Sequence, residues 1–269
     1  MTLAEKKQHL ELTFRDMESV VVAFSGGVDS ALVTALAFRV LGDRALAVTA
    51  KSESLPGREL IDSKKIAREI GIRHRIISTQ EMKNPEYSSN PINRCFHCKI
   101  ELYDCLRRVA NEGNYRYLVN GVNVDDLGDY RPGISAGQSN GVRSPLCDAS
   151  MDKADTRALA KELGLSVSEK PASACLSSRV PYGQTITPEK LSMIEHAEDF
   201  LLGLGFTQLR VRHHGHIARL EFLPEEIPRY FEDEIAQLVK VRLRLLGFEN
   251  VELDLRGYRS GSLNEAIGR

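Results

Sequence analysis

The chain has 269 residues, of which 42% are hydrophobic and 27% are charged, and its formal net charge is −1. This composition is typical of a water-soluble globular protein, and the near-neutral charge gives no sign of a nucleic-acid-binding surface. Residues 1–17 mix charged and apolar side chains, unlike a secretory signal, and no stretch is long and apolar enough to span a membrane. We therefore expect a cytoplasmic protein with reduced thiols and without nucleic-acid or membrane partners.

The first two thirds of the chain predict alternating helices and strands. The predicted elements are helix 3–17, strand 20–24, helix 31–42, strand 45–50, helix 57–71, strand 74–78, helix 95–112, strand 115–121 and helix 153–164. This alternation predicts an α/β fold with a parallel sheet covered on both faces. Ligands of such sheets bind beyond the carboxyl ends of the strands. The loops expected at that rim are 25–30, 51–57, 79–94 and 121–145.

The pattern changes after about residue 180. Predicted helices at 188–203 and 224–246 each end in Leu-Gly-Phe and lead into strand-like segments. A glycine after the last helical turn is a common way for a helix to end. This weak repeat predicts a smaller α+β domain, so the predicted domains are 1–180 and 181–269.

The first strand leads into Ser25-Gly26-Gly27-Val28-Asp29-Ser30. Adjacent glycines let backbone amides approach an anion, and the following helix N-terminus adds unpaired N–H groups. Asp29 can hold Mg²⁺ or a ribose. The alternative is an ordinary tight turn, but the position after the first strand of an α/β pattern favours a phosphate site. Because no Gly-Lys-Ser/Thr follows, the loop is not of the Walker type.

This loop resembles the pyrophosphate-binding loop (PP-loop) of the N-type ATP pyrophosphatases. The segments DYRPG (129–133), KPASACLSSRVPYG (170–183) and RVRHHGHIARLE (210–221) resemble the LarE family, and the resemblance covers nearly the whole chain. It implies an adenine nucleotide α-hydrolase-like PP-loop domain and a homo-oligomer. It also implies a sulfurtransferase that uses ATP and Mg²⁺, releasing AMP and pyrophosphate. The implied substrate is a pyridinium dicarboxylate mononucleotide, whose carboxylates become thiocarboxylates during biosynthesis of the nickel-pincer nucleotide cofactor of lactate racemase.

Five cysteines are an odd number for a disulfide framework. Cys95 and Cys98 lie one turn apart on one face of a predicted helix, whereas Cys105 lies about 10 Å further along its axis. We interpret Cys105 as a core residue and Cys147 as structural. His97, between the paired cysteines, points to another face. The pair alone allows a disulfide, a zinc site, redox chemistry or another metal.

The chain resembles the three-cysteine branch of the LarE family. This implies that Cys95, Cys98 and Cys175 hold a 4Fe-4S cluster whose open iron carries an exogenous sulfide. The alternatives are that Cys175 gives up its own sulfur and becomes dehydroalanine, or that the three cysteines are unrelated. Zinc is disfavoured because structural zinc takes four ligands.

Several polar residues are candidates for contacts with substrate, nucleotide or Mg²⁺. They are Ser178, Arg179, Arg210, Arg212, Asp129 and Arg131. The first two lie beside Cys175 and are assigned, with Cys175 and Asp29, to catalysis. Strand alternation places Arg210 and Arg212 on one face, which suits a phosphate or carboxylate or else a solvated sheet edge. The residues at 129 and 131 lie on the predicted rim, where a simple ion pair would be the alternative.

Three rival functions share parts of this pattern. A tRNA thiolase has the same loop and similar cysteines but needs a basic RNA-binding surface. A nucleotide-binding zinc sensor would bind without turnover. An ammonia-using enzyme of the NAD synthetase kind has no use for three convergent cysteines.

Overall fold

A computed structural model of the protein describes residues 1–128, 132–232, 234–259 and 261–267. The predicted rim residues Asp129 and Arg131 lie outside this part and stay predictions. The chain forms two compact units. The first contains Met1–Tyr87 and Asn93–Ser173, and the second contains Ser88–Ile92 and Ala174–Arg269. The predicted boundary at 180 stays a prediction, and it did not assign residues 88–92 to the second domain.

The first part of the chain contains the expected alternation of helices and strands. The helices are α1 Leu3–Met17, α2 Val28–Leu41, α3 Gly57–Ile70, α4 Pro85–Ser88, α5 Arg94–Glu112, α6 Pro132–Ser139, α7 Pro145–Asp148 and α8 Lys153–Glu162. The strands are β1 Val20–Ala23, β2 Ala45–Lys51, β3 His74–Ser78 and β4 Tyr117–Val119. They form a parallel sheet in the order β3-β2-β1-β4.

Strand β1 is central because its side chains are apolar on both faces. Val20 and Val22 belong to the hydrophobic cluster shared with α1, α2 and α8, whereas Val21 belongs to the cluster shared with α5. All three valines are fully buried. β-Branched residues suit such a doubly covered strand. The predicted parallel sheet with helices on both faces is therefore confirmed, and its carboxyl ends share one rim.

The second unit is an α+β structure, as predicted. Its regular elements in the described residues are α9 Pro188–Gly203, β5 Leu209–His214, β6 Ile217–Phe222, α10 Ile227–Tyr230, α11 Ile235–Leu245 and β7 Asn250–Leu253. Strands β5 and β6 form an antiparallel hairpin, and β7 pairs with β6 in parallel. Stacked rings of Phe206 and Phe222, 4.2 Å apart, lie in the core of this unit.

The single helix predicted over 224–246 is wrong. A 3₁₀ turn at Pro224–Glu226 precedes α10, and α11 begins only at Ile235. The prolines at 224 and 228 cannot donate backbone hydrogen bonds. Phe231 then bonds back to the carbonyl of Pro228, which ends α10. In the part of the chain that the structure describes, no helix is both long and apolar enough to cross a membrane.

Candidate functional site

The loop after β1 has a backbone that only glycine suits. Gly26 adopts φ +78°, and a Cβ atom there would lie 3.0 Å from the Cα of Ser63. Gly27 is the N-cap residue of α2, and no side chain caps this helix end in the described structure. The first N–H groups of α2 therefore point to the loop without a capping acceptor, which is the arrangement that binds phosphate.

Two serines close this loop. The hydroxyl oxygens of Ser25 and Ser30 lie 3.0 Å apart. The Ser30 hydroxyl donates to the carbonyl of Gly27 at 3.0 Å and accepts from the backbone N–H of Ser25 at 3.2 Å. This local network holds the loop in a fixed shape without a bound anion.

Asp29 is held by two residues that come from distant parts of the chain. The side-chain amide of Asn123 donates to one carboxylate oxygen of Asp29 at 3.0 Å. The ammonium of Lys153 forms an ion pair with the other oxygen. A cation therefore already lies beside the loop, although the loop lacks the lysine of a Walker motif.

The loop after β4 touches the PP-loop through its backbone. A Cβ atom on Gly121 would lie 2.7 Å from the backbone nitrogen of Ser30. Real Cβ atoms do not approach a backbone atom so closely, so any larger residue would displace one of the two loops. Gly121 thus lets the loop that carries Asn123 approach Asp29.

A buried chain of hydrogen bonds supports the end of β1. The hydroxyl of Thr49 on β2 donates to the carbonyl of Phe24 at 2.7 Å, and Nε2 of His74 on β3 lies 2.8 Å from the same hydroxyl. Because the Thr49 hydrogen is used, His74 supplies the second hydrogen. Burial, and then the charge of Lys64, lower the pKa of His74.

Cys95 and Cys98 are the second and fifth residues of α5. Cys95 is exposed and Cys98 is half-buried. His97 between them faces elsewhere: Nδ1 lies 3.2 Å from a carboxylate oxygen of Glu86, and Nε2 lies 3.3 Å from the side-chain amide of Asn93. Both ring nitrogens of His97 are therefore engaged away from the cysteines, which argues against His97 as a zinc ligand.

The thiols of Cys105 and Cys147 are both half-buried. Burial raises the pKa of the Cys105 thiol and raises that of Cys147 to about 11. The Cys147 thiol donates to the carbonyl of Val122 at 3.2 Å. Both thiols stay protonated near neutral pH, so neither suits a metal ligand or a nucleophile.

Cys175 is exposed and is the second residue of the longer segment of the second unit, directly before a 3₁₀ turn at Leu176–Arg179. The guanidinium of Arg179 holds this turn from inside. Its Nη1 donates to the carbonyls of Ala174 and Cys175 at 2.7 and 3.0 Å and to the hydroxyl of Ser178 at 2.9 Å. The main chain on both sides of the Cys175 side chain is thus fixed.

The other side of the Arg179 guanidinium forms a two-bond ion pair with Glu198 on α9. The N···O distances are 2.9 and 3.0 Å, and both side chains are 0% exposed. We expected Arg179 to bind a substrate anion. The structure corrects this: the side chain is buried and its charge is matched by Glu198, so Arg179 positions the Cys175 turn.

Arg210 and Arg212 lie on the same face of β5, as predicted, but they differ in their partners. Arg212 pairs with Glu221 at 2.9 and 3.0 Å, and it donates to the Ser178 carbonyl at 2.7 Å. Arg210 lies over the ring of Tyr258, 4.9 Å from its centroid, and has no carboxylate partner among the described residues. Burial, and then the charge of Arg179, lower the pKa of Arg210.

The predicted cluster draws its three cysteines from both compact units. Cys95 and Cys98 belong to the first unit and Cys175 to the second. Among the described residues, no group of three or more His, Cys, Asp or Glu side chains is arranged to hold a metal ion. No disulfide links any of the five cysteines, all of which are described. The shared cluster therefore stays a prediction.

Comparison with known proteins places this geometry in a family. Residues 6–91, which include the PP-loop, match the NAD synthase family model. The chain is 38% identical over 269 residues to pyridinium-3,5-bisthiocarboxylic acid mononucleotide synthase of Lactiplantibacillus plantarum, a LarE enzyme. The alignment covers 99% of this chain and 96% of that enzyme. The chain belongs to the LarE family.

Two other relatives differ in how much of the chain they match. An uncharacterised protein of Synechocystis sp. is 46% identical over 98% of this chain and 99% of its own length. The tRNA-specific 2-thiouridylase MnmA of Xanthobacter autotrophicus is 31% identical, but over only 62% of this chain and 53% of its own length. Likeness to the LarE enzyme thus includes the second unit of the chain, whereas the tRNA enzyme matches a smaller share of each sequence.

Sequence reasoning missed Gly121, Asn123, Lys153 and Glu198. One signal was available for Lys153: it is the first residue of α8, where the helix dipole disfavours a cation. Gly121 and Asn123 lie in a loop that was predicted to line the rim. The buried ion pair of Glu198 could not be predicted, because in the sequence Glu198 looks like an ordinary charged residue of an amphipathic helix.

Proposed function

We propose that this LarE-family protein is an ATP-dependent sulfurtransferase that converts the carboxylates of a pyridinium dicarboxylate mononucleotide to thiocarboxylates. The observation that carries the proposal is the full-length likeness to the Lactiplantibacillus synthase, combined with a complete PP-loop. We further propose that the product serves biosynthesis of the nickel-pincer nucleotide, and that the enzyme is a cytoplasmic homo-oligomer acting on a small molecule rather than on nucleic acid.

In the first step, a substrate carboxylate oxygen attacks the α-phosphorus of ATP, and pyrophosphate leaves. The N–H groups at the start of α2 would bind the departing pyrophosphate. Asp29 would bind Mg²⁺, which the phosphates share. Metal binding at Asp29 would compete with Lys153, whose ammonium lies on the same carboxylate. Lys153 would then be released toward the phosphate oxygens, supplying the charge that the loop itself lacks.

In the second step, sulfur attacks the carbon of the acyl-adenylate and AMP leaves. Adenylation turns a poor leaving oxygen into a good one, so an anionic sulfur nucleophile needs no general base. We propose that Cys95, Cys98 and Cys175 hold a 4Fe-4S cluster, which when bound would supply an open iron for exogenous sulfide. Cys95 and Cys175 are exposed and Cys98 is half-buried, and burial, which raises the pKa of the Cys105 and Cys147 thiols, makes those two less suitable.

The residues around Cys175 would hold its thiol in position and would take no chemical part in the reaction. Arg179 fixes the carbonyls of Ala174 and Cys175, and Arg212 fixes that of Ser178. A thiol on a fixed turn loses less conformational freedom when it binds a metal or a substrate. Ser178 itself is tied through its hydroxyl to the Cys175 carbonyl at 2.8 Å.

Arg210 is the best candidate for binding a substrate anion. Arg179 and Arg212 each form an ion pair with a buried glutamate, whereas Arg210 forms no ion pair among the described residues. Glu221 faces Arg210 across the two strands, but its carboxylate is bound by Arg212. A substrate phosphate or carboxylate would balance the Arg210 charge. The guanidinium already stacks on Tyr258, which orients it before substrate arrives.

A second route of sulfur delivery is supported by the exposure of Cys175. In this route Cys175 gives its own sulfur to the acyl-adenylate and becomes dehydroalanine. It would leave Cys95 and Cys98 without a role in sulfur transfer. A tRNA thiolase is not favoured, because the likeness to the tRNA enzyme covers only part of each chain.

The test is anaerobic purification followed by iron, acid-labile sulfide and zinc analysis, and then reaction with ATP, Mg²⁺, the mononucleotide and sulfide. We expect AMP, pyrophosphate and replacement of a carboxylate oxygen by sulfur in the product mass. Cys95→Ala, Cys98→Ala and Cys175→Ala should each lose the iron chromophore, whereas Cys105→Ala and Cys147→Ala should keep it. Dehydroalanine at 175 after one turnover would contradict delivery by the cluster. Failure to consume ATP with the mononucleotide would contradict the proposed reaction itself.

A further inference from the structure

Glu81 is a buried carboxylate with an incomplete set of partners. It lies three residues beyond the end of β3 and is only 2% exposed. One of its carboxylate oxygens accepts a hydrogen bond from the hydroxyl of Ser54 at 3.1 Å. The other oxygen, Oε2, is screened from water and has no hydrogen-bond partner among the described residues.

A buried negative charge normally has a counter-charge or several hydrogen-bond donors. In the part of the chain that the structure describes, the Ser54 hydroxyl is the one donor to the Glu81 carboxylate. The same part of the chain places no group of three acidic, histidine or cysteine side chains where it could hold a metal ion. What Oε2 requires is one further N–H or O–H donor, which a bound ligand can supply.

Ser54 and Glu81 lie at the same edge of the sheet as the PP-loop. Ser54 follows β2 by three residues, as Glu81 follows β3, and the carboxyl ends of parallel strands share one edge. The backbone N–H of Thr79 donates to the carbonyl of Lys51 at 3.1 Å, so the two loops leave the sheet side by side. The hydroxyls of Ser52 and Ser54 lie 2.9 Å apart, which restrains the Ser54 side chain.

The strand order β3-β2-β1-β4 indicates in which direction a nucleotide extends from the PP-loop. On the β4 side the rim is closed, because the backbone of Gly121 packs against that of Ser30. On the other side lie the loops after β2 and β3. Neighbouring strands are about 4.8 Å apart, so β3 lies roughly 10 Å from β1. The base is the part of ATP furthest from the phosphates, and it is therefore the part that would reach Glu81.

We propose that Glu81 recognises the adenine base of ATP, with Oε2 accepting a hydrogen bond from the 6-amino group. This inference rests on the proposed use of ATP and adds the residue that selects the base. A carboxylate suits the uncharged base, whereas it would repel the phosphates. It also disfavours a base with an oxygen at position 6, such as hypoxanthine or guanine, because two acceptors would then face each other. The Ser54 hydroxyl holds the carboxylate before the nucleotide arrives.

Calorimetry of nucleotide binding to the full-length protein tests this assignment. ATP should bind at least about tenfold more tightly than purine riboside triphosphate, which lacks the amino group, and than ITP, which carries an oxygen in its place. Equal affinities for all three nucleotides would overturn the proposal and leave the proposed function intact. Failure of all three to bind would overturn both.

Glu81→Gln tests the residue itself. An amide both donates and accepts, so it can turn its NH₂ group toward the oxygen of ITP, and the preference for ATP over ITP should largely disappear. The matched control is Glu53→Gln, at an exposed residue of the loop after β2, which should keep the wild-type preference. An unchanged preference in Glu81→Gln, or equal weakening of all three nucleotides, would overturn the proposal.

Two further measurements keep the test independent of one variant. Ser54→Ala removes the hydroxyl that holds the carboxylate and should reduce the preference for ATP over ITP, even if Glu81→Gln does not fold. An unchanged preference in Ser54→Ala, when Glu81→Gln does not fold, would overturn the proposal. The last comparison is ATP against 2′-deoxy-ATP. If Glu81→Gln alters this ratio and leaves the ratio of ATP to ITP unchanged, Glu81 binds the ribose and the proposal is wrong.

Discussion

The buried pair between Arg179 and Glu198 leads to the sharpest stability prediction. Both side chains are 0% exposed, and two hydrogen bonds join them. Glu198→Ala would leave the guanidinium buried without its counter-charge, and it would also remove the acceptor of the Val211 backbone N–H at 3.2 Å. Removing one partner of a buried ion pair costs about 3–5 kcal/mol of unfolding free energy.

The magnitude follows from the size of the second unit, which has about 100 residues. A domain of this size loses roughly 4–8 °C of melting temperature per kcal/mol. We therefore expect the melting temperature of the second unit to fall by at least about 12 °C. Circular dichroism with urea and thermal unfolding measures it. The control is Asp199→Ala, at the next position on α9 but exposed, which should cost less than about 1 kcal/mol.

A double substitution separates stability from function. Arg179→Met combined with Glu198→Leu replaces the ion pair by apolar side chains, which is often neutral for stability. It also removes the donor to the carbonyls of Ala174 and Cys175. We expect stability to recover only in part, because the Val211 N–H still lacks its acceptor, and sulfur transfer to stay low. A loss below about 1 kcal/mol in Glu198→Ala would refute the energetic argument, and full activity in the double variant would refute the positioning role.

Three further outcomes are expected in the first unit. Lys153→Met should slow pyrophosphate release, measured by a coupled phosphate assay, whereas Lys161→Met on the exposed side of α8 should not. Gly121→Ala should weaken ATP binding by calorimetry and cost about 1–3 kcal/mol of stability, whereas Gly128→Ala, with open space around it, should do neither. Because burial lowers the pKa of His74, its contribution to stability is complete above about pH 6.5 and is lost as the pH falls through the folded-state pKa. The free energy of unfolding, measured with urea between pH 7 and 5, should therefore fall less steeply with falling pH in His74→Gln. The other histidines still give it some dependence on pH.

The sequence allowed the parallel sheet and the PP-loop to be predicted because both depend on local patterns. A run of β-branched residues followed by Ser-Gly-Gly identifies a buried strand and its turn without knowledge of the rest of the fold. The partners of Asp29 were not predictable in this way. Asn123 and Lys153 reach it from 94 and 124 residues away in sequence. Only the order of the strands brings them to the same rim.

Charge was visible in the sequence, but its burial was not. Arg179 and Arg210 were both predicted to bind an anion. The residues next to each of them in sequence did not show that one is buried in an ion pair and the other is not. The difference lies in Glu198, which faces Arg179 from a helix that begins after Arg179 in sequence. The broken helix at 224–246 has a similar origin, because its apolar spacing hid the effect of the two prolines.

The five residues 88–92 have a consequence for modularity. Asn90 is fully buried in the second unit, where its side-chain amide donates to the carbonyls of Val180 and Pro181 at 3.1 and 2.7 Å. Its own carbonyl accepts from Gly183 at 2.9 Å. A fragment that starts at residue 174 would therefore leave these backbone groups without partners, although it carries every strand of the second sheet. A single recombination junction could therefore not transfer the second unit intact. Its fold includes residues 88–92, which lie in sequence between the two segments of the first unit.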